Sequence, residues 1–528
     1  MYKFTYKNAR IIDKWSLLMQ NIKIQEDDKR QGDDCKKKSN VKKHCGRLLK
    51  VVVFVLMIAI AAGNLGEVLA YKHDEYDANN YFDFDYLYDL PKDSLDVVYL
   101  GTSQFHMGIT PLEIWKKYGI TGANFTSSAN RAWLAYYMLE EILKYQNPKV
   151  VVMDAALIRG GNNNVVGNRR IISQFRFSPL KLEALYNCLE LKGKSIDEMI
   201  NISSEFFAYH DRWDSLTQYD FADDVSSYAY QKGYLLSTSS TPHSNIDYEE
   251  YHTPVIFKIE EQTKLYMEKI KKLCDEKEIE IMVTKLPSEM WNPTYSKIVE
   301  DWADENQALF LDMTQKKILR KMNFDLEKDY LDFNHINYSG AELVSDYLGN
   351  YLTENYEFDE KSEKIEAAWD ADYKKYEDYR STYMLKLANN LTDFIELAKQ
   401  PDYVICFSIK DEATQGLTDQ ELEELQSLGI NIDFAQNYRG SMVAIVDNGE
   451  TVIQNFGQKE QICEYHPYEN LEIEMISKGY NAGNQSSIVI NGQEYSKNLR
   501  GMNVVVYDKK KNEVICSSVF DTWTIEGE

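Results

Sequence analysis

Four short apolar runs recur between residues 96 and 313: "DVVYLG", "KVVVMDA" (149–155), "IEIMVTKLP" (279–287) and "LFLDM" (309–313). Between them lie stretches with helical periodicity, among them "WLAYYMLEEILKYQ" and "IFKIEEQTKLYMEKIKKLCDEK". Short apolar strands alternating with helices are the pattern of a mainly parallel sheet covered by helices. Pro148 and Pro287 punctuate two of the runs at their ends, where a missing N–H is tolerated. The expectation is an α/β domain. Open sheets of this kind bind ligands at the carboxyl ends of their strands. The first run ends there in "GTSQFH", which carries Ser103 and His106. Ser103 is a candidate nucleophile; the alternative is a turn residue or the N-cap of the next helix.

A serine hydroxyl is a poor nucleophile until a base takes its proton, and the base needs an acid to hold its tautomer. The far end of the same domain offers both. "YLDFNHINYSGAELVSDYL" (330–348) places Asp332 and His335 three residues apart, followed by Gly340 and an amphipathic helix. Read alone, this segment fits an Asx-turn with a surface histidine equally well. Together with a strand-end serine it is far more specific.

"YLGTSQ" followed late in the domain by "DFNHINYSGAE" resembles the SGNH/GDSL hydrolases, in particular their membrane-anchored branch. "NPKVVVMDA", "FFAYHDRWDSL" and "KGY" between them resemble that branch as well, so the likeness covers about residues 90–355. It implies a flavodoxin-like three-layer sandwich with Ser103 as nucleophile, His335 as general base and Asp332 orienting the histidine. The sequence departs from the family pattern at three places. Gln104 follows the serine, where His, Asp or Glu is usual. "ANFTSSAN" puts Thr126 where a glycine donates an oxyanion N–H, and "VVMDAAL" lacks the oxyanion asparagine. The resemblance therefore implies main-chain donors at Ser103 and Thr126, with Asn124 or Asn130 as substitutes for the missing amide. In "FFAYHDRWDSLTQYD" (206–220), His210, Arg212 and Trp213 combine a base, a fixed cation and a large ring, a candidate lining for a sugar or acyl carrier. Otherwise Trp213 is core and Arg212 pairs with Asp211 or Asp214. His106 is a lining candidate of the same standing. No cofactor is implied, and no Cys/His cluster has metal-ligand spacing.

The ends of the chain carry different signals. From Leu48 to about Leu65 the residues are apolar or small except Lys50 and Asn64, close to the roughly 20 residues that cross a bilayer as a helix. The flank "CKKKSNVKKHCGR" lies on its amino side, and residues 1–47 hold 13 Lys/Arg against 6 Asp/Glu. Positive residues stay in the cytoplasm. The expectation is a basic head at 1–47, one signal anchor at 48–70 and an extracellular body from 71, with a cleaved signal as the alternative. The net charge of −25 argues against a nucleic-acid partner. Residues 71–95, rich in Tyr, Asp and Asn, read as a loosely ordered lead into the domain, which runs to 355. The seven cysteines signal no disulfide scaffold, and pairing among Cys406, Cys463 and Cys516 is left open.

Beyond 355 the periodicity changes. Trp369, Tyr373, Tyr376 and Tyr383 form a helical stripe in a segment without Pro or Gly, which reads as a helical connector over 356–400. Residues 401–528 are strand-rich, with hairpin signals at "DNG" (447–449) and "NG" (491–492) and one helix capped by Thr418 and ending near Gly429. "FSIKDEATQGLTDQELEELQSLGI", "YNAGNQSSIVINGQEYSKNLRGMNVVVYD" and "SSVFDTW" resemble, in that order, the interleukin-like EMT-inducer (ILEI/PANDER) domain. That resemblance implies a compact β-rich domain that binds, with glycans as its ligands. Two functions follow from the whole. One is a cell-surface esterase or O-acyltransferase acting on O-acyl groups, acetyl foremost, of an envelope polysaccharide, working beside a multi-spanning membrane acyltransferase. The other is a weak or inactive glycan-binding scaffold of the same system.

Overall fold

The computed structural model describes residues 84–159, 165–188, 209–216, 230–237, 258–431 and 437–522, with residues 206 and 433 and scattered positions from 47 to 69. The chain divides into two compact units, Met1–Lys72 with Lys194–Ala222 and His73–Gly193 with Asp223–Glu528. In the first unit the described positions between 47 and 69 are helical, and Leu49, Val51, Val52, Phe54, Val55, Met57 and Ile58 are exposed. The span expected at 48–70 lies partly outside the described residues. Among those described, no helix is long and apolar enough to cross a membrane. The basic head up to residue 46 also lies outside them.

The second unit holds two sheets. In the first, β1 (Val97–Gly101), β2 (Gly122–Thr126), β3 (Val150–Asp154), β4 (Glu280–Lys285) and β5 (Leu309–Asp312) are all parallel, in the order β2-β1-β3-β4-β5. This is the flavodoxin-like order, with its topological switch point between β1 and β3. β1, β2 and β3 are buried at every residue, as a sheet covered by helices requires. The cover comes from α1 (Ser103–Gly108), α2 (Pro111–Tyr118), α3 (Ala132–Ile142), α4 (Glu261–Glu276) and α5 (Tyr338–Asn355). α3 packs on α4, and α5 packs on α1 and α2. The four apolar runs are strands as expected. β2, "GANFT", is an addition. The stretch before β1 is more ordered than its composition suggests: from residue 84 on, Phe84, Tyr86 and Leu87 are buried, and the Tyr86 ring stacks on Phe125 at 5.1 Å. Residues 71–83 lie outside the described residues.

After α5 come α6 (Glu363–Leu387) and α7 (Leu391–Ala398). The stripe is on one helix, and Trp369 and Tyr376 are its buried members. The second sheet follows: β6 (Tyr403–Asp411), β7 (Ser441–Asp447), β8 (Glu450–Gly457), β9 (Gln461–Tyr468), β10 (Leu471–Gly479), β11 (Gln485–Ile490), β12 (Gln493–Glu494), β13 (Gly501–Asp508) and β14 (Glu513–Phe520). Its pairs are antiparallel except β6 with β10. Period-two alternation sorts β6 between two cores. Tyr403, Ile405, Phe407 and Ile409 face the cluster that contains α7, while Val404 and Cys406 face one built from β7, β9, β10 and β11. The hairpin signals hold: Asn448–Gly449 and Asn491–Gly492 both have positive φ, the type I′ signature, and join β7 to β8 and β11 to β12. Thr418 caps α8 (Asp419–Ser427) in a full capping box with Glu421. Cys274, Cys406, Cys463 and Cys516 are buried free thiols.

Candidate active site

β1 ends at Gly101, and Thr102, not Ser103, takes the N-cap of α1: its side chain accepts from the Gln104 N–H. Ser103 is thereby the first residue of the helix, half-buried at the switch point, and its Oγ is free of capping. The cap is itself held from the neighbouring strand. Asp154, the last residue of β3 and fully buried, accepts from the Thr102 hydroxyl at 2.5 Å and from the Thr102 N–H at 3.2 Å.

The other half of the site is a closed turn. Tyr330 and Ile336 form an antiparallel bridge, and the Leu331 and Asp332 N–H groups donate to the His335 carbonyl at 3.0 and 3.3 Å. Inside the turn, Asp332 Oδ1 accepts from the main-chain N–H of Asn334 at 2.7 Å and of His335 at 2.8 Å. The turn ends where α5 begins. Asn337 caps that helix by accepting from the Gly340 N–H at 3.2 Å, and it donates its own N–H to the Asp329 carbonyl at 3.0 Å. Gly340 must be glycine for that approach, because a Cβ there would lie 2.5 Å from Asp329 O. The asparagine and glycine of "DFNHINYSG" thus build the turn that presents its aspartate and histidine.

The two halves meet in one line. His335 Nε2 lies 2.8 Å from Ser103 Oγ, and His335 Nδ1 lies 2.9 and 3.0 Å from the two Asp332 oxygens. Burial alone would raise the Asp332 carboxyl. The hydrogen bonds from His335 and from the Asn334 N–H outweigh it and hold the group below its ordinary value. The His335 side chain is 20% and the Asp332 side chain 49% exposed, so the line opens to solvent. Nucleophile, base and orienting acid at hydrogen-bond distance can carry out acyl transfer.

The oxyanion candidates are placed differently. Ser103 is the first residue of α1, whose leading N–H groups have no partner within the helix. Asn124 is fully buried and donates through Nδ2 to the Ile109 and Gly233 carbonyls at 2.8 and 3.3 Å. Asn130 Nδ2 donates to the Gly101 carbonyl at 3.0 Å and approaches Met138 Sδ at 3.7 Å. Both amides are thus engaged, Asn124 on the carbonyls after α1 and in the turn at Gly233, and Asn130 on the last residue of β1. Thr126 Oγ1 lies 3.1 Å from His106 Nδ1, and both residues are buried. His106 is therefore buried against Thr126, and burial, reinforced by the charge of His335, holds its imidazole well below the ordinary value. His210, Arg212 and Trp213 lie on a short 3-10 turn, His210–Asp214, in the first unit. Trp213 is 52% exposed rather than core, and Arg212 Nη1 donates to the Leu69 carbonyl at 2.6 Å. Sequence reasoning missed Asp154 and Thr102. Their signal was the strand-end position itself, since Asp154 closes an apolar run just as Thr102 follows one.

Fold and site together define a flavodoxin-like α/β protein with a Ser–His–Asp line at the switch point. No family model matches the chain, and no curated protein matches it. Among solved structures it is similar to a GDSL-like lipase from Bacteroides thetaiotaomicron VPI-5482, at 12% identity and a TM-score of 0.26, over 52% of this chain and 100% of that one. It is also similar to a proposed acylhydrolase from Bacteroides fragilis NCTC 9343, at 12% identity and a TM-score of 0.25, over 54% of this chain and 99% of that one.

Proposed function

We propose that the chain is a serine esterase or O-acyltransferase of the SGNH type that acts on O-acyl groups, acetyl foremost, of a cell-envelope polysaccharide. The observation that carries the reading is the Ser103–His335–Asp332 line. Ser103 Oγ attacks the acyl carbonyl carbon while His335 Nε2 takes the hydroxyl proton, and Asp332 stabilises the imidazolium. The carbonyl electron pair moves onto oxygen, which the Ser103 N–H receives. Collapse expels the sugar oxygen, protonated by His335, and leaves the acyl group on Ser103. Water or a second hydroxyl then attacks the acyl-enzyme, gives its proton to His335, and takes the acyl group as Ser103 recovers its hydrogen. Water as acceptor makes the protein an esterase; a sugar hydroxyl makes it a transferase.

The basic head and the apolar run at 48–65 support a single-pass anchor with an extracellular body, where the substrate would be the acylated envelope glycan and the partner a multi-spanning membrane acyltransferase that delivers acyl groups across the bilayer. The strand-rich segment 401–528 is the glycan-holding part in this reading. Its motifs, not its geometry, support that role. A second reading, an inactive glycan-binding scaffold, is favoured by one observation: the amides of Asn124 and Asn130 are both engaged, so neither replaces the missing oxyanion asparagine. Losing one such donor costs about 10²–10³ in rate. Incubation of the full chain with a fluorophosphonate probe and a p-nitrophenyl ester series separates the two. Labelling that disappears in Ser103→Ala supports the enzyme; a wild-type chain that neither labels nor turns over supports the scaffold.

A further inference from the structure

Lys285 is the last residue of β4, and at 1% exposure it is among the largest fully buried side chains in the protein. Its Nζ lies 4.9 Å over the Trp291 ring and donates a hydrogen bond to Oε1 of Gln104, the residue next to Ser103. Gln104, also buried, donates through Nε2 to the Asn334 carbonyl and to Asn334 Oδ1, both at 2.7 Å. Asn334 stands between Asp332 and His335, and its N–H donates to Asp332 Oδ1. A continuous path therefore runs from the end of β4, through the residue beside the nucleophile, into the turn that carries the base and the acid.

An ammonium group has donors only, so the end of Gln104 that faces Lys285 must be its oxygen. The amide nitrogen is then left pointing at Asn334, whose two oxygens are both acceptors. Without the lysine, the buried Gln104 oxygen would lose its donor, and the amide would turn away from Asn334 to find another; with the lysine it stays. Burying a lysine carries a desolvation cost that an apolar side chain of similar volume would avoid. We infer that Lys285 is a positioning residue: it fixes the Gln104 amide, which clamps the Asp332–His335 turn at bonding distance from Ser103. The inference rests on the serine-hydrolase reading above for its consequence in rate, but not for its geometry. It also accounts for Gln104 standing where the resembled family carries an acid or a histidine. A carboxylate would satisfy Lys285 yet present an oxygen to the Asn334 acceptors.

The test uses the full chain with Lys285→Met, Gln104→Ala and the double variant. Four quantities are read: the rate of fluorophosphonate labelling, kcat and KM on p-nitrophenyl acetate, and the downfield proton resonance of the His335 Nδ1–H by NMR. Each single variant is expected to lower labelling and kcat tenfold or more, leave KM within twofold, and broaden the His335 resonance. The double variant should be no slower than the slower single, because Lys285 acts only through Gln104. Losses that multiply in the double, or a folded Lys285→Met with wild-type labelling and resonance, overturn the inference. If Lys285→Met does not fold, Gln104→Glu carries the same test, with lowered labelling and a broadened resonance expected and unchanged values overturning it. A wild-type chain that neither labels nor turns over defeats the hydrolase reading, while the His335 resonance in the variants still decides the clamp.

Discussion

In the proposed hydrolase, two adjacent residues at the end of β1 divide chemistry from stability. The Ser103 hydroxyl bonds His335, whereas the Thr102 hydroxyl caps α1 and satisfies the buried Asp154. Ser103→Ala should therefore abolish probe labelling with little change in thermal midpoint. Thr102→Val should do the reverse, costing about 1–3 kcal/mol because a fully buried carboxylate loses a donor. A midpoint that drops for Ser103→Ala but not for Thr102→Val would exchange the two roles. His106 makes the fold sensitive to acid. Its folded imidazole titrates well below the unfolded value of about 6.5, so below that pH the unfolded chain binds a proton that the folded chain does not. Stability is lost as pH falls from about 6.5, by at most about 1.4 kcal/mol per pH unit from this group. Asp332 has the depressed value of a bonded carboxylate, so its contribution is present above the unfolded carboxylate value of about 4 and is lost only at more acid pH. Between pH 7 and 5 the two do not overlap. His106→Leu should lower the thermal midpoint at pH 7.5 and flatten its fall toward pH 5; an equally steep fall would assign the acid sensitivity elsewhere.

At the scale of elements, the turn before α5 is the part that cannot be altered quietly. A methyl group at Gly340 meets the Asp329 carbonyl at 2.5 Å, and that carbonyl also receives the Asn337 N–H. Gly340→Ala must therefore move the turn or the helix start, at a cost of about 1–3 kcal/mol. Because His335 and Asp332 ride on that turn, labelling should fall together with stability. Full labelling in a destabilised Gly340→Ala would show that the turn moves without its side chains. This site was legible in the sequence because its residues come in two local blocks, each ending or starting a regular element. β2 was not legible. "GANFT" offers only Ala123 and Phe125 as apolar residues, and its pairing with β1 supplies what propensity does not. β8, β9, β10 and β14 were likewise unread: Glu450, Glu464, Glu472, Glu474 and Glu513 interrupt the apolar runs that mark strands. The Lys285–Gln104 contact spans 181 residues, and no local pattern announces it.

At the scale of the molecule, α6 belongs to both sheets of the second unit. Most of its length, as far as Arg380, serves the α/β part. Trp369 is fully buried beneath Lys232, which pairs with Asp372 at 2.5 Å, and Trp115 Nε1 donates to Asp370 Oδ1 at 3.0 Å. Arg380 bridges to Glu113 on α2 and Glu342 on α5. Its last turn belongs to the β-rich part: Leu385 joins Leu391, Phe394 and Ile395 of the next helix in the core that covers one face of β6 and β13. These four side chains are completely buried, and each such burial is worth about 1.5–3 kcal/mol. A fragment cut at residue 401 keeps the strands but bares Ile405, Phe407, Val504 and Val506, the partners of that cover. Residues 363–528 keep it. The longer fragment should unfold cooperatively and stay monomeric, whereas 401–528 should bind a hydrophobic dye and aggregate at the same concentration. Equal, cooperative unfolding of both would mean that the β-rich core closes without its helices, and that α6 is a tether rather than a shared wall.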